Sequence, residues 1–107
     1  MNDTRELDRR FVWHPCTQMK DHEAQPPVVI TRGEGPYLYD DTGARYIDGV
    51  SSWWVNLLGH CHPALTAVLQ EQAARLEHVI FAGFTHEPGA RLAAELCRIA
   101  PPGLSKV

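Results

Sequence analysis

"PYLYDDTGARYIDGV", residues 36 to 50, decides how this chain begins to fold. Tyr37 to Asp40 and Arg45 to Val50 are two alternating runs, and alternation at period two marks a half-buried strand. Asp41, Thr42 and Gly43 stand between them, with glycine available for the positive φ that a tight reversal needs. The stretch predicts a β-hairpin. Toward the N-terminus, "VVIT" (28–31) reads as a further short strand, and "GEGP" (33–36) as a turn. "GEGP" is no phosphate cradle, because no helix follows it. The polar stretch "QMKDHEAQPP" (18–27) reads as a connector closed by two prolines, its "KDHE" (20–23) a solvated surface. "TRELDRRFVWHP" (4–15) predicts a short polar helix ending before Pro15, with His14 at the boundary, since a residue preceding proline is pushed out of the helical region.

Past the hairpin the period changes. Leu65, Val68, Leu69, Ala73, Leu76 and Ile80 fall on one side of a helix opened by Pro63, a residue suited to a first helical turn. A second helix is predicted from a Thr85 cap, with Leu92, Ala93, Leu96, Ile99 and Ala100 on one face and a stop at "PPG" (101–103). The final "LSKV" reads as the entry to another strand. Two amphipathic helices and a small hairpin need a further layer to cover their apolar faces. The expectation is an N-terminal piece of a larger protein.

Composition excludes several functions. The chain has 107 residues, 44% of them hydrophobic and 21% charged, which is ordinary for a globular protein. A net charge of −3 offers no basic surface for nucleic acid or an acidic membrane. Neither a signal peptide nor a run of about 18 apolar residues is present, so a cytoplasmic location is expected. Three scattered cysteines, Cys16, Cys61 and Cys97, suit reduced thiols better than a disulfide framework. His60, Cys61 and His62, with His86 and Cys97 downstream, have the chemistry of zinc ligands but only one pair at the usual spacing, so no metal site is assigned. His62 is expected at the entry to the first long helix, His60 as a polar group at a loop end, and His78 and His86 at helix ends or an interface. No elbow serine, nucleotide-binding glycine loop or telling carboxylate pair is found.

"GVSSWWVNLLGHCHP" (49–63) carries the least ordinary signal, two tryptophans beside two serines. In a strand, Trp53 and Trp54 would face opposite ways, one toward a core and one toward an interface. At the end of a hairpin, one ring could instead wall a ligand pocket while the other anchors it, with Gly49 and Gly59 permitting close backbone approach. Spacing alone leaves both open.

The run "GPYLYDDTGARYIDGVSSWWVNLLGHCHPALTAVLQEQ" (35–72) resembles the N-terminal region of the class III, fold type I aminotransferases that use pyridoxal phosphate. "WHPCTQM" (13–19), "SSWW" (51–54) and "HVIFAGFTHEP" (78–88) resemble, within that family, the enzymes that aminate 8-amino-7-oxononanoate to 7,8-diaminononanoate in biotin synthesis. The resemblance covers nearly all of the chain from Phe11 onward. It implies an α/β fold, with residues 1–62 holding an N-terminal helix and the strands and hairpin of a small domain. Residues 63–107 would be helices leading into a large cofactor-binding domain. It further implies a PLP-dependent transaminase acting as a homodimer, S-adenosylmethionine as amino donor, and substrate contacts from Trp53, with Trp54 in support. At Cys16 the family's usual aromatic, expected to meet the keto substrate and the donor adenine, is replaced by a thiol. That leaves the donor open between S-adenosylmethionine and the lysine used by some relatives. Without the resemblance, Cys16 reads as an ordinary buried thiol. The only lysines are Lys20 and Lys106, neither matching the family's cofactor lysine, so this chain alone is expected to be inactive and not to bind the cofactor. Alternatives are another class III ω-amino-acid aminotransferase and a non-catalytic binding module.

Overall fold

The computed structural model describes residues 3–107. They fall into two compact units, the first running to Thr66 and the second from Ala67 to Val107.

In the first unit, helix α1 (Thr4–Phe11) is capped by Asp3, whose carboxylate accepts from the Arg5 backbone N–H at 3.2 Å. It ends earlier than Pro15 alone requires. Val12 is already extended, and the His14 Nε2 sits 2.9 and 3.0 Å from the two Asp8 carboxylate oxygens, folding the exit back on the helix. The expected connector contains a short 3-10 turn, Met19–Glu23.

Strands β1 (Ile30–Glu34), β2 (Tyr37–Asp40) and β3 (Arg45–Ile47) form an antiparallel meander in the order β1-β2-β3. The first strand begins two residues later than "VVIT" and takes in Gly33 and Glu34, leaving only Gly35 and Pro36 to turn the chain into β2. The register of β1 against β2 slips between Ile30 and Arg32, so Thr31 is an extra residue, and its hydroxyl donates to the Tyr39 and Asp40 carbonyls instead. One face carries Arg32, Tyr39 and Arg45 in register, with the Arg32 guanidinium 3.6 Å from the Tyr39 ring centre. The opposite face carries Gly33, Leu38 and Tyr46.

The hairpin predicted between β2 and β3 forms, with Gly43 at φ 87°. Its organiser is Asp40, the buried polar residue of the described chain at 8% exposure. The Asp40 carboxylate accepts from the Thr42 hydroxyl (2.7 Å), the Thr42 and Ala44 backbone N–H groups (2.9 Å each) and the Tyr46 hydroxyl (2.8 Å). Those donors, the Thr42 hydroxyl foremost, hold its pKa down at about 2. A bidentate pair from Arg5 to Asp41 (2.7 and 2.8 Å) ties α1 to the same turn.

After β3, Ser51–Trp54 forms one helical turn, α2, and α3 spans Pro63–Arg75, starting at the predicted Pro63 and stopping before Leu76 and Ile80. In the second unit, α4 (Glu87–Ile99) is capped by His86 and not by Thr85: the His86 Nδ1 accepts from the Gly89 backbone N–H at 3.1 Å. The Phe81 ring packs edgewise on His86, 5.1 Å between centres, so the apolar stretch before α4 folds over its first turn. No hydrophobic side chain among the described residues is buried. Leu65, Val68 and Leu69 of α3 and Leu92 and Ile99 of α4 stay exposed. No helix among the described residues is long and apolar enough to cross a membrane.

Candidate substrate-facing turn

The tryptophans do not lie on a strand. Ser51, Ser52, Trp53 and Trp54 have φ values of 50°, 48°, 64° and 68°, four consecutive non-glycine residues in the left-handed region. Adjacent rings therefore do not alternate across a sheet. They share one left-handed turn, and both are exposed, Trp53 by 64% and Trp54 by 85%. β-Carbon crowding makes this conformation unfavourable by roughly 1–2 kcal/mol per residue, or about 4–8 kcal/mol over four. That approaches the whole stability of a small domain, about 5–15 kcal/mol. Such strain persists only where the surroundings over-determine it, and it concentrates at ligand-contacting sites.

The surroundings are specific. Trp54 N–H donates to the Val50 carbonyl (2.9 Å), and Val55 and Asn56 N–H both donate to the Ser51 carbonyl (3.0 and 3.2 Å). Asp48, immediately after β3, accepts from the Ser52 backbone N–H at 3.0 Å and from the Ser52 hydroxyl at 2.7 Å. The same carboxylate meets the His60 Nε2 at 2.8 Å, from the far end of the loop. The Ser52 bonds lead in holding the Asp48 pKa at about 2, with His60 adding to them. Asn56 Nδ2 approaches the His60 Nδ1 at 3.3 Å, so the ring that donates from Nε2 accepts at Nδ1.

His60 is itself fixed by glycines. Gly35 N–H donates to the His60 carbonyl (3.1 Å), and His60 N–H to the Gly35 carbonyl (2.8 Å). A Cβ on Gly33 would stand 2.7 Å from the His60 Cβ, and one on Gly59, at φ 81°, would stand 2.8 Å from the Gly35 carbonyl oxygen. Gly59 thus fulfils the close-approach expectation. Gly49 does not, since nothing lies within 4 Å of its would-be Cβ. Beside the turn is an open cavity of about 250 Å³, lined by Pro36, Asp48, Ser51, Asn56, Leu57 and His60 among others. Neither tryptophan lines it.

Cys16 is exposed, which corrects the buried-thiol reading, and it too is left-handed at φ 51°. It follows Pro15 in a turn closed by the Thr17 hydroxyl donating to the Pro15 carbonyl at 2.8 Å. Among the described residues no hydrogen bond or ring contact joins Cys16 to the tryptophans. Sequence reasoning placed Asp48 in a strand run and His60 at a loop end, and so missed their pairing, 12 residues apart. His86 does stand at a helix end, and the His62 carbonyl accepts from Thr66 at 3.0 Å in the first turn of α3. Asp8, His14 and His22 bring ligand-type atoms within 4.8 Å of one another. The Asp8–His14 hydrogen bonds, with the His22 ring packed edgewise on His14 at 4.7 Å between centres, account for that grouping.

The arrangement can offer flat apolar surface and backbone rigidity. Its hydroxyl–carboxylate contact, Ser52 to Asp48, sets a serine against a carboxylate whose pKa is held at about 2, a weak base, so the contact serves to hold the turn. Comparison with known proteins gives it a family. The model of the class-III aminotransferases matches residues 18–107. The adenosylmethionine-8-amino-7-oxononanoate aminotransferase of Geobacter sulfurreducens is 48% identical over 96% of this chain, and that of Synechococcus elongatus 50% identical over 90%. This chain spans 23% and 22% of those relatives' lengths. The crystal structure of the Methanocaldococcus jannaschii adenosylmethionine-8-amino-7-oxononanoate aminotransferase superposes with a TM-score of 0.89 at 38% identity, covering 95% of this chain and 23% of that one. An omega transaminase from Pseudomonas jessenii in complex with PMP gives 0.89 at 33% identity, covering 98% of this chain and 23% of that one. The described chain superposes on about a quarter of each such enzyme, and with the family match over residues 18–107 this chain belongs to the class-III aminotransferases.

Proposed function

We propose that this chain is the N-terminal part of an enzyme that transfers an amino group from S-adenosylmethionine to 8-amino-7-oxononanoate, giving 7,8-diaminononanoate for biotin synthesis. The observation that carries this reading is the 48% identity over 96% of the chain to a relative named for that pair of substrates. The omega transaminase likeness, at 33% identity, keeps the same family and the same use of pyridoxal phosphate but supports the substrate pair less.

In this reading Trp53 lies against the methylene chain of the oxononanoate, Trp54 supports it, and Cys16 stands near the donor. An indole face buries a large apolar area at little conformational cost, which suits an extended aliphatic substrate. Residues 1–62 supply small-domain structure and residues 63–107 lead toward the large domain. Partner surface for the exposed Leu65, Val68, Leu92 and Ile99 comes from the rest of the enzyme and, at the apolar Ile80, Phe81 and Phe84, from a second subunit in a homodimer.

Pyridoxal phosphate does not fit the described residues. Lys20 sits in the polar Met19–Glu23 turn. Lys106 borders an apolar cavity with Leu96, Ile99 and Leu104, where no acidic side chain is present to pair with a pyridine nitrogen. The lysine that carries the cofactor is therefore assigned outside these 107 residues, and the chain alone is expected to be inactive.

The test is an assay of the full-length gene product for 7,8-diaminononanoate formation with S-adenosylmethionine or lysine as donor, repeated with Trp53→Ala. Acceptor-dependent turnover and a KM for the acceptor about 30-fold higher in Trp53→Ala are expected, corresponding to about 2 kcal/mol. An unchanged acceptor KM would reject the pocket role, and stoichiometric borohydride trapping of the cofactor on Lys20 or Lys106 would reject the assignment of the lysine elsewhere.

A further inference from the structure

The geometry points to Asp48 and His60 as positioning residues that hold the tryptophan turn in its left-handed form and so set how the enzyme recognises its keto substrate. The second half of this inference rests on the pocket role proposed for Trp53; the first half stands on the contacts alone.

The segment from Asp48 to His60 is a loop closed at both ends against one short piece of chain. At its start, Asp48 N–H donates to the Pro36 carbonyl at 2.9 Å. At its end, His60 exchanges two backbone hydrogen bonds with Gly35. Gly35 and Pro36 are the turn between β1 and β2, so both ends of the loop are moored to the rigid edge of the sheet. The Asp48–His60 hydrogen bond then joins the two ends directly, through side chains only 9% and 15% exposed. Nothing else in the loop does this. With its ends fixed, the loop must reverse within a few residues, and the left-handed turn at Ser51–Trp54 is where it does so.

Asp48 also reaches into the turn. The Ser52 backbone N–H and hydroxyl both point to the Asp48 carboxylate, one on each oxygen, and the His60 ring takes the oxygen that the hydroxyl uses. A carboxylate is needed for this. It offers enough acceptor sites for all three donors, whereas an amide offers one oxygen and adds two donors of its own. The serine before Trp53 is likewise explained: its hydroxyl is the second arm of the bond that keeps the turn left-handed. Gly33 completes the device, because any side chain there would occupy the place of the His60 ring.

None of these groups touches the tryptophan rings through a hydrogen bond. Their action is on the backbone that carries Trp53 and Trp54, and thus on where the rings stand. The consequence is a separation of effects. Loosening Asp48 should weaken the fit of the acceptor while leaving the chemical step intact.

The experiment uses the full-length enzyme, with Asp48→Ala, Ser52→Ala and His60→Gln, each alone and combined with Trp53→Ala. Hydrogen exchange is read at the amides of Trp54, Val55 and Asn56, which close the turn. Steady-state kinetics are read for acceptor and donor separately. The expected result is at least tenfold faster exchange at those amides in Asp48→Ala, with a smaller effect in His60→Gln, whose amide still donates to Asp48. The acceptor KM should rise about tenfold with kcat within about twofold, and this rise should vanish in the Trp53→Ala background. Should Asp48→Ala not fold, Ser52→Ala removes only the hydroxyl arm, leaves the Ser52 backbone N–H and both end contacts of the loop in place, and gives the same readouts through the turn arm alone. Unchanged turn protection in Asp48→Ala, or in Ser52→Ala if that is the variant that folds, overturns the holding role. Lost protection with an unchanged acceptor KM, while Trp53→Ala itself raises that KM, overturns the positioning role. If Trp53→Ala leaves the acceptor KM unchanged, the pocket role fails and takes the recognition half of the inference with it, and the exchange data still decide the holding half.

Discussion

Alanine at Gly59 and alanine at Gly43 should have very different consequences, although the two glycines have nearly the same φ. Gly43 is at φ 87° with nothing within 4 Å of a would-be Cβ. Its substitution should therefore carry only the left-handed penalty, about 1–2 kcal/mol. Gly59, at φ 81°, carries the same penalty and a collision besides. The new Cβ would lie 2.8 Å from the Gly35 oxygen and 2.9 Å from the Gly35 carbonyl carbon and Cα, all backbone atoms that no rotamer change can move. Relief requires Gly35 and His60 to separate, giving up two mutual backbone hydrogen bonds worth about 1 kcal/mol each. The sum for Gly59→Ala is about 3–4 kcal/mol. A global melting temperature would blur this in a large enzyme, so the appropriate measure is local hydrogen exchange at the Gly35 and His60 amides. At about 1.4 kcal/mol per decade, Gly59→Ala should reduce protection there by two to three orders of magnitude. Gly43→Ala should leave those amides nearly unchanged, its about tenfold effect staying at the β2–β3 turn. Equal losses at both sites, or intact Gly35–His60 protection in Gly59→Ala, would refute the reasoning.

Cys16→Tyr should change donor affinity more than acceptor affinity, by about 1 kcal/mol, because it restores a ring able to stack on adenine; equal changes in the two KM values would count against this. Acid should weaken the β2–β3 turn: a carboxylate whose folded pKa is lowered contributes stability that is present above its ordinary value of 3.8 and lost as pH falls through about 2. Asp40→Asn should remove that acid dependence from the exchange of the Thr42 and Ala44 amides, and persistence of the dependence would exclude Asp40 as its source. The isolated 107 residues should associate through their exposed apolar surface, and a cooperative monomer in analytical ultracentrifugation would contradict this.

What the sequence made legible follows from the range of the forces involved. The β2–β3 hairpin and the start of α3 rest on neighbours: alternation, a glycine at the reversal, a proline in the first helical turn. Local rules suffice there. The cap of α4 was misplaced by one residue because threonine is the commoner cap, while in the structure the imidazole of His86, with Phe81 packed on its ring, accepts from Gly89. The early stop of α1 likewise depends on His14 returning to Asp8, a pairing that no propensity encodes.

The tryptophan turn marks a sharper limit. Propensity gives serine and tryptophan no reason to be left-handed, and four such residues in succession run against the local preference of every one of them. Only contacts from outside the segment can impose that shape, and these come from Asp48 before it, His60 after it, and a sheet turn at Gly35 and Pro36 that is distant in sequence. The doubled tryptophan stood out in the sequence, but its spacing left a core role and a pocket role equally open, and only the family resemblance made it a candidate site. Its geometry was not legible, because among the residues that determine it Gly59 alone was read as a close approach, while Asp48, His60, Gly33 and Gly35 have ordinary individual readings. Local rules and structure disagree most strongly at the stretch proposed to meet the keto substrate, which is where stored backbone strain is expected to serve a function.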